Sequence, residues 1–278
     1  MNDIEDNNTI NVSDVMCIFN ISQEDFNNIK PILQTIPQIN QYNLNIHFFI
    51  LLSAFIYIHN NNINGSIVEL GTCPGEFTIR ISKLLDLYNS NKLYHVYDTF
   101  TGLPDFSYEF KNNSSFYLKK NDFKYSISQY TQLLENMNIH QMPSIHQTNF
   151  KSIIYDLYPS YISFAIFDSL IYESILGSFN NIWDKLQPGG LILINKYNHS
   201  EFFGVTEACN TFFTKFKLNN LTQYTYDIIY NNYNILIIKK IINANNNNNN
   251  TNTNSNNNTN TNNNNANNNT NNNNIKII

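Results

Sequence analysis

Three acids that close apolar, β-prone runs are the side chains best placed to do chemistry. Glu69 ends Ile67-Val68-Glu69-Leu70 and runs into the loop Gly71-Thr-Cys-Pro-Gly75. A helical pattern follows, Phe77-Thr-Ile-Arg-Ile-Ser-Lys-Leu-Leu85. Strand, glycine turn and helix is how an open α/β sheet makes a ligand crevice at its carboxyl edge. Gly71 and Gly75 are expected to let backbone approach a ligand where a Cβ would collide. Glu69 is expected to accept hydrogen bonds from a cationic or hydroxyl-bearing ligand. Asp98 ends the next run, Lys92–Tyr97. An acid roughly 20 residues past a glycine loop binds both ribose hydroxyls of a nucleoside. Asp168 ends Tyr161–Phe167, and Lys196 and His199 follow Leu191–Ile194.

The loop spacing narrows the ligand. A pyrophosphate site uses G-x-G-x-x-G, and a P-loop carries a lysine. This loop reads acidic-x-Gly-x-x-x-Gly and has neither feature. The pattern resembles the first motif of class I methyltransferases, whose ligand S-adenosylmethionine has no phosphate to cradle.

The elements that must position these residues follow in order. Residues 1–44 read as an N-terminal helical extension, with a helix start at Ser22-Gln-Glu-Asp and an interruption at Pro31. A buried helix over 45–61 leads to the Asn64-Gly65 turn. Ser128–Met137 reads as a helix and Ser144–Thr148 as a third strand. The 105–143 stretch is long enough to be a functional loop shaping an acceptor pocket. Glu173–Leu186 has Ile175, Leu176, Phe179, Ile182, Trp183 and Leu186 on one helical face, and Pro188-Gly189-Gly190 is expected to stop it. Gly204–Phe216 is helical. Tyr224–Tyr230 and Tyr233–Ile238 read as a hairpin turning at Asn231-Asn232. The expected fold is α/β, a Rossmann-like doubly wound, mostly parallel seven-stranded sheet with an antiparallel C-terminal hairpin. It spans residues 45–242. Residues 243–278, nearly all Asn and Thr, lack apolar surface to offset chain ordering and read as a disordered tail.

Bulk properties exclude several classes. Sixteen Lys and Arg against 21 Asp and Glu give a net charge of −5, which argues against nucleic-acid binding. Three scattered cysteines propose neither a disulfide framework nor a zinc site. The apolar run from His47 to Ile58 is too short to span a bilayer, and the acidic N-terminus is no secretory signal. A cytoplasmic location is expected. Cys73 has no evident base beside it and reads as a loop residue. His95 and His146 lie within strands and read as structural; Tyr172 and Glu173 read as a helix start.

Several segments together resemble one family, the macrocin- and mycinamicin-type sugar O-methyltransferases. They are Val68-Glu-Leu-Gly with Gly75; Tyr97-Asp-Thr-Phe-Thr-Gly-Leu-Pro104; Asp168 with Tyr172-Glu-Ser174; Leu186-Gln-Pro-Gly-Gly190; and Gly204-Val-x-x-Ala208 with Phe212. The likeness covers about residues 65–240. It implies methyl transfer from S-adenosylmethionine to a hydroxyl, usually on a sugar of a natural product, assisted by magnesium. Glu69, Gly71, Gly75, Asp98, Asn149 and Asp168 would hold the cofactor, with Asn149 near the adenine.

In that family the fourth strand ends in Asp-Gly-Asp and the fifth in Asp-Asp-Tyr, and these acids surround the metal. Here the residues are Asp168-Ser169-Leu170 and Asn195-Lys196-Tyr197. Magnesium demands hard oxygen ligands in near-octahedral array. With Leu170, Asn195 and Lys196 in place of acids, the usual metal site is expected to be lost. Asp168, Lys196 and His199 are the catalytic candidates. Lys196 reads equally as a source of positive charge or a base, and as a salt bridge that keeps the fold without chemistry. His199 reads as a second base or as an exposed loop histidine.

Three functions are open to such a chain. It is an active O-methyltransferase on a small hydroxylated metabolite, or a binding protein that keeps the cofactor but not turnover. A nicotinamide-linked oxidoreductase is disfavoured by the missing G-x-G-x-x-G and by the terminal hairpin. A homo-oligomer is compatible with any of these.

Overall fold

The computed structural model describes residues 12–34, 44–105, 118–149, 155–218 and 223–243. Helices α1 (Val12–Phe19), α2 (Gln23–Gln34) and α3 (Leu44–Asn60) precede the sheet. Then come β1 (Ser66–Leu70), α4 (Glu76–Leu87), β2 (Tyr94–Asp98), α5 (Ile127–Asn136), β3 (Ser144–Gln147) and β4 (Ile162–Phe167). The chain continues as α6 (Tyr172–Ile182), β5 (Leu186–Asn195), α7 (Phe203–Leu218), β6 (Tyr224–Asn232) and β7 (Ile235–Ile242).

Alternation within the strands builds two cores. Ile67, Val96, Phe164, Ile166, Leu191 and Leu193 pack with residues of α1 to α5. Their neighbours Val68, Tyr97, Ala165, Phe167, Ile192 and Ile194 pack with residues of α6 and α7. Every residue of β1 and of β4 is buried, because helices cover both faces of a parallel sheet. The strand order is β3-β2-β1-β4-β5-β7-β6, with β7 antiparallel between β5 and β6 and the other pairs parallel. The seven-stranded sheet closed by an antiparallel hairpin is as the sequence led us to expect.

Val15 and Phe19 of α1 and Ile29 of α2 belong to the same core as α3. Tyr88, just past α4, donates a 2.7 Å hydrogen bond to Asp25 of α2. The acidic N-terminus, residues 106–117 of the long loop and the Asn/Thr-rich tail beyond Asn243 lie outside the described residues.

Three local expectations are corrected. Helix α2 runs through Pro31, which stands in its last turn, where a missing N–H costs only one late bond. Leu186 is not the end of α6 but the start of β5, paired with Ile162. Pro188-Gly189-Gly190 does not precede the strand; it forms an irregularity inside it, between the pairs Ile162–Leu186 and Phe164–Leu191. A Cβ on Gly190 would lie 2.9 Å from the Ser163 carbonyl oxygen, so the neighbouring strand passes too close for any other residue. Finally, the hairpin turns at Tyr233-Asn234, with φ of 49° and 56°, not at Asn231-Asn232. Two left-handed residues make the tight turn whose twist suits a hairpin, and Asn232 is still paired, opposite Ile235.

Candidate active site

The carboxyl ends of β1, β2, β4 and β5 open on a cavity of about 480 Å³. Gly71, Asp98, Asn149, Asp168 and Lys196 line it, together with His47 at the start of α3. Phe48, Phe77, Leu103, Pro104 and Phe123 make its wall largely apolar. The Phe123 side of that wall folds back on the Gly102-Leu103 turn through hydrogen bonds from Leu103 N–H to Asp122 and from Asn121 N–H to Leu103. Part of the 105–143 segment therefore does reach the cavity.

Asp98 is anchored before any ligand arrives. One carboxylate oxygen accepts from the Thr72 N–H at 2.9 Å, the other from the Phe100 N–H at 2.8 Å. A carboxylate has about four lone-pair directions, so both oxygens keep capacity for ligand hydroxyls.

Glu69 stands elsewhere than the sequence led us to expect. It is fully buried and does not line the cavity. Thr72 Oγ1 donates to the Tyr130 hydroxyl at 3.2 Å, Tyr130 to Thr78 Oγ1 at 2.7 Å, and Thr78 to Glu69 Oε2 at 2.7 Å. Tyr94 donates to the same oxygen. Burial, only partly offset by these donors, pushes the Glu69 carboxyl up to about 8, so it holds its proton at neutral pH. Oε1 has no partner among the described residues. Thr72 thus ties two acids together, Asp98 through its backbone and Glu69 through its hydroxyl.

The glycines also act within the protein. Gly71 has φ +87°, and a Cβ there would lie 2.8 Å from the Asp168 carbonyl oxygen. Gly75 has φ +108°, and a Cβ would lie 2.9 Å from the Tyr130 ring. What a side chain would strike is the end of β4 and α5, so these glycines bring the elements together beneath the site.

Asp168, Asn195 and Lys196 form the second half of the site. Asn195 Nδ2 donates to Asp168 Oδ1 at 2.7 Å, and Asn195 Oδ1 accepts from the Lys196 N–H at 3.0 Å. The opposite amide orientation would set oxygen against carboxylate and N–H against N–H, so this one is dictated. Burial raises the Asp168 carboxyl to about 6, against the Asn195 hydrogen bond and the charge of Lys196, which lower it. Lys196 has φ +65°, a strained backbone for a residue with a Cβ. It makes no ion pair among the described residues.

His199 is not in the cavity lining. Its Nδ1 accepts from the Glu201 N–H at 3.1 Å, and its ring packs on Phe202. The neutral ring therefore keeps its proton on Nε2 and has no lone pair left for a substrate. His95 and His146 bond to each other at 3.1 Å across β2 and β3, outside the lining.

Sequence reasoning missed His47, hidden in an apolar run, and Glu76, the first residue of α4; both line the cavity. Burial, then the nearby charge of Lys196, pushes His47 down to about 4. No periodicity marks a single histidine at a helix start, so only the fold brings it to the crevice.

This strand order, with a glycine loop after β1 and an anchored acid at the end of β2, defines a class I methyltransferase dependent on S-adenosylmethionine. The family model of the macrocin O-methyltransferases, TylF, matches residues 50–230, and the chain belongs to that family. No curated protein sequence matches it. Among solved structures, the O-methyltransferase NovP is similar with a TM-score of 0.60 at 14% identity, over 83% of this chain and 100% of that one. The calicheamicin methyltransferase CalS11 is similar with a TM-score of 0.52 at 17% identity, over 78% and 93%. Podospora anserina PaMTH1, solved with S-adenosylhomocysteine, is similar with a TM-score of 0.50 at 10% identity, over 87% and 100%. The chain is thus an S-adenosylmethionine-dependent O-methyltransferase. Among the described residues no helix is long and apolar enough to cross a membrane.

Proposed function

We propose that this protein methylates a hydroxyl of a small sugar or natural product, and that it does so without a bound metal. The observation that carries the metal-free reading is the amide of Asn195, whose N–H occupies an oxygen of Asp168. A cation would have to share Asp168 with that donor, because Asn195 turns its N–H and not its oxygen toward the carboxylate. Leu170 contributes no donor atom, and the Lys196 charge acts on Asp168. Among the described residues no three His, Cys, Asp or Glu side chains gather as a metal would require. The donor set does not fit magnesium.

The cofactor fits better. Asp98 keeps lone pairs for ribose hydroxyls, Asn149 lines the same cavity, and the wall around them is largely apolar. When bound, S-adenosylmethionine supplies a methyl group on a positively charged sulfur. The chain has to hold the acceptor hydroxyl in line and receive its proton. Asp168 takes the proton on the oxygen that Asn195 leaves free. A carboxyl raised to about 6 is a better match to a proton transfer near neutral pH than an ordinary aspartate. The charge of Lys196 lowers the Asp168 carboxyl and so favours its ionised form.

Cofactor binding without turnover is the rival reading, favoured by the same occupied Asp168 oxygen. Turnover of methyl-labelled donor over a panel of sugars, nucleotide sugars and polyphenols decides between them. Label transfer unchanged by EDTA supports metal-free catalysis. Transfer that EDTA abolishes and magnesium restores overturns it, and binding with no transfer supports the rival.

A further inference from the structure

Both backbone donors that hold Asp98 belong to residues that Tyr130 touches. Thr72 gives its N–H to one carboxylate oxygen, and Phe100 gives its N–H to the other. The Tyr130 hydroxyl accepts from Thr72 Oγ1 at 3.2 Å. The Tyr130 ring lies 5.3 Å from the Phe100 ring, centre to centre, tilted by 55°. Tyr130 is fully buried on α5, outside the cavity lining, and its own hydroxyl hydrogen goes to Thr78 Oγ1 at 2.7 Å. Phe100 has φ +52°, a backbone that a bulky residue keeps only where its surroundings hold it. Its side chain is buried, and the Tyr130 ring is one of the groups that hold it.

We propose that Tyr130 is a positioning residue for cofactor binding: with its hydroxyl on Thr72 and its ring on Phe100, it fixes the two backbone N–H groups that aim the Asp98 carboxylate. A carboxylate held in place before the ligand arrives does not have to be ordered during binding, and affinity gains by that amount. The inference rests on the reading of Asp98 as the anchor of the ribose hydroxyls, and adds what aims that anchor. It also gives α5 a part in the site. The stretch just before this helix supplies the Phe123 wall of the cavity, and the helix itself carries the residue that sets the anchor.

The test is calorimetry with S-adenosylhomocysteine on Tyr130→Leu and Tyr130→Phe, each made alone and in the Asp98→Ala background. Tyr130→Leu frees both donors and is expected to weaken binding about tenfold. Tyr130→Phe keeps the ring, and Thr72 Oγ1 keeps Thr78 Oγ1 at 2.8 Å, so about threefold is expected. In the Asp98→Ala background either substitution is expected to change affinity by less than about 1.5-fold, because losses that act through one group do not add. The same loss in both backgrounds marks a merely structural residue and overturns the proposal, as does full affinity in Tyr130→Leu. If Tyr130→Leu does not fold, Tyr130→Phe carries the comparison. Should the wild type not bind S-adenosylhomocysteine, or Asp98→Ala bind it equally well, the cofactor reading fails on its own. Proton–nitrogen NMR of the ligand-free protein then decides for Tyr130. In Tyr130→Phe the Thr72 amide is expected to shift and exchange faster with solvent while the Phe100 amide stays in place. An unmoved Thr72 amide, or a Phe100 amide that moves as much, overturns the proposal.

Discussion

Asn195 presents its amide nitrogen, not its oxygen, to Asp168, at 2.7 Å. The bond makes a closed pair of one carboxylate and one amide at the ends of β4 and β5. Its consequences can be measured.

Replacing the amide with a second acid should reverse the arrangement. Asn195→Asp sets two carboxylates in contact, and like charges so close raise each other's affinity for protons. The variant is expected to be less stable at neutral pH by about 1–3 kcal/mol, the cost of losing a buried partner. Adding Lys196→Asp makes three acids with Asp168. The double variant is expected to gain thermal stability on addition of magnesium, where the wild type gains none. Melting temperatures with and without the ion check this.

Asp98 is the cofactor's anchor in this account, and its removal should be selective. Asp98→Ala is expected to weaken S-adenosylhomocysteine binding by about tenfold or more, from losing hydrogen bonds to a charged acceptor of roughly 1.5–3 kcal/mol. His199→Ala is expected to leave both binding and turnover within about twofold, because its lone pair is already committed to Glu201. Calorimetry and a turnover assay on both variants compare the two roles.

Asp168 gives the reaction an acid limb. With its carboxyl at about 6, kcat is expected to rise as pH climbs through that value and then level off. Asn195→Leu removes a hydrogen bond that favours the ionised form, so the limb should move to higher pH. A limb that stays in place in Asn195→Leu argues against Asp168 as the proton acceptor.

Glu69 sets a different pH dependence, on stability. Its carboxyl is raised from 4.5 to about 8 by burial, so the folded state binds the proton more tightly than the unfolded chain. That contribution is present in full below pH 4.5 and is lost as pH rises toward 8. His47 works oppositely: lowered from 6.5 to about 4, it gives stability present above 6.5 and lost as pH falls toward 4. Glu69→Gln cannot ionise, so its melting temperature relative to the wild type is expected to improve steadily between pH 4.5 and 8. A constant difference across that range contradicts a protonated Glu69.

How much of this was legible in the sequence differs residue by residue. The strand ends at Glu69, Asp98 and Asp168 were legible because fully buried parallel strands are short apolar runs with a polar residue at the edge. That legibility did not extend to direction: nothing in Ile-Val-Glu-Leu says that Glu69 turns to Tyr94 and Thr78 rather than to the cavity. The glycines at 71 and 75 were found, but their constraint comes from Asp168 and Tyr130, distant in sequence. Pro-Gly-Gly at 188–190 was misplaced because a breaker inside a bulged strand looks the same as one that ends a helix. His47 was invisible, since only the folded chain brings it to the same cavity as Asp168 and Lys196.

The central claim, that the crevice between Gly71 and Asp98 receives an adenosyl donor, is tested most directly by calorimetric titration of purified protein with S-adenosylhomocysteine, with and without EDTA. Saturable binding at one site in the micromolar range is expected, indifferent to EDTA and much weakened in Asp98→Ala. No detectable binding up to millimolar ligand, or equal binding in Asp98→Ala, contradicts it.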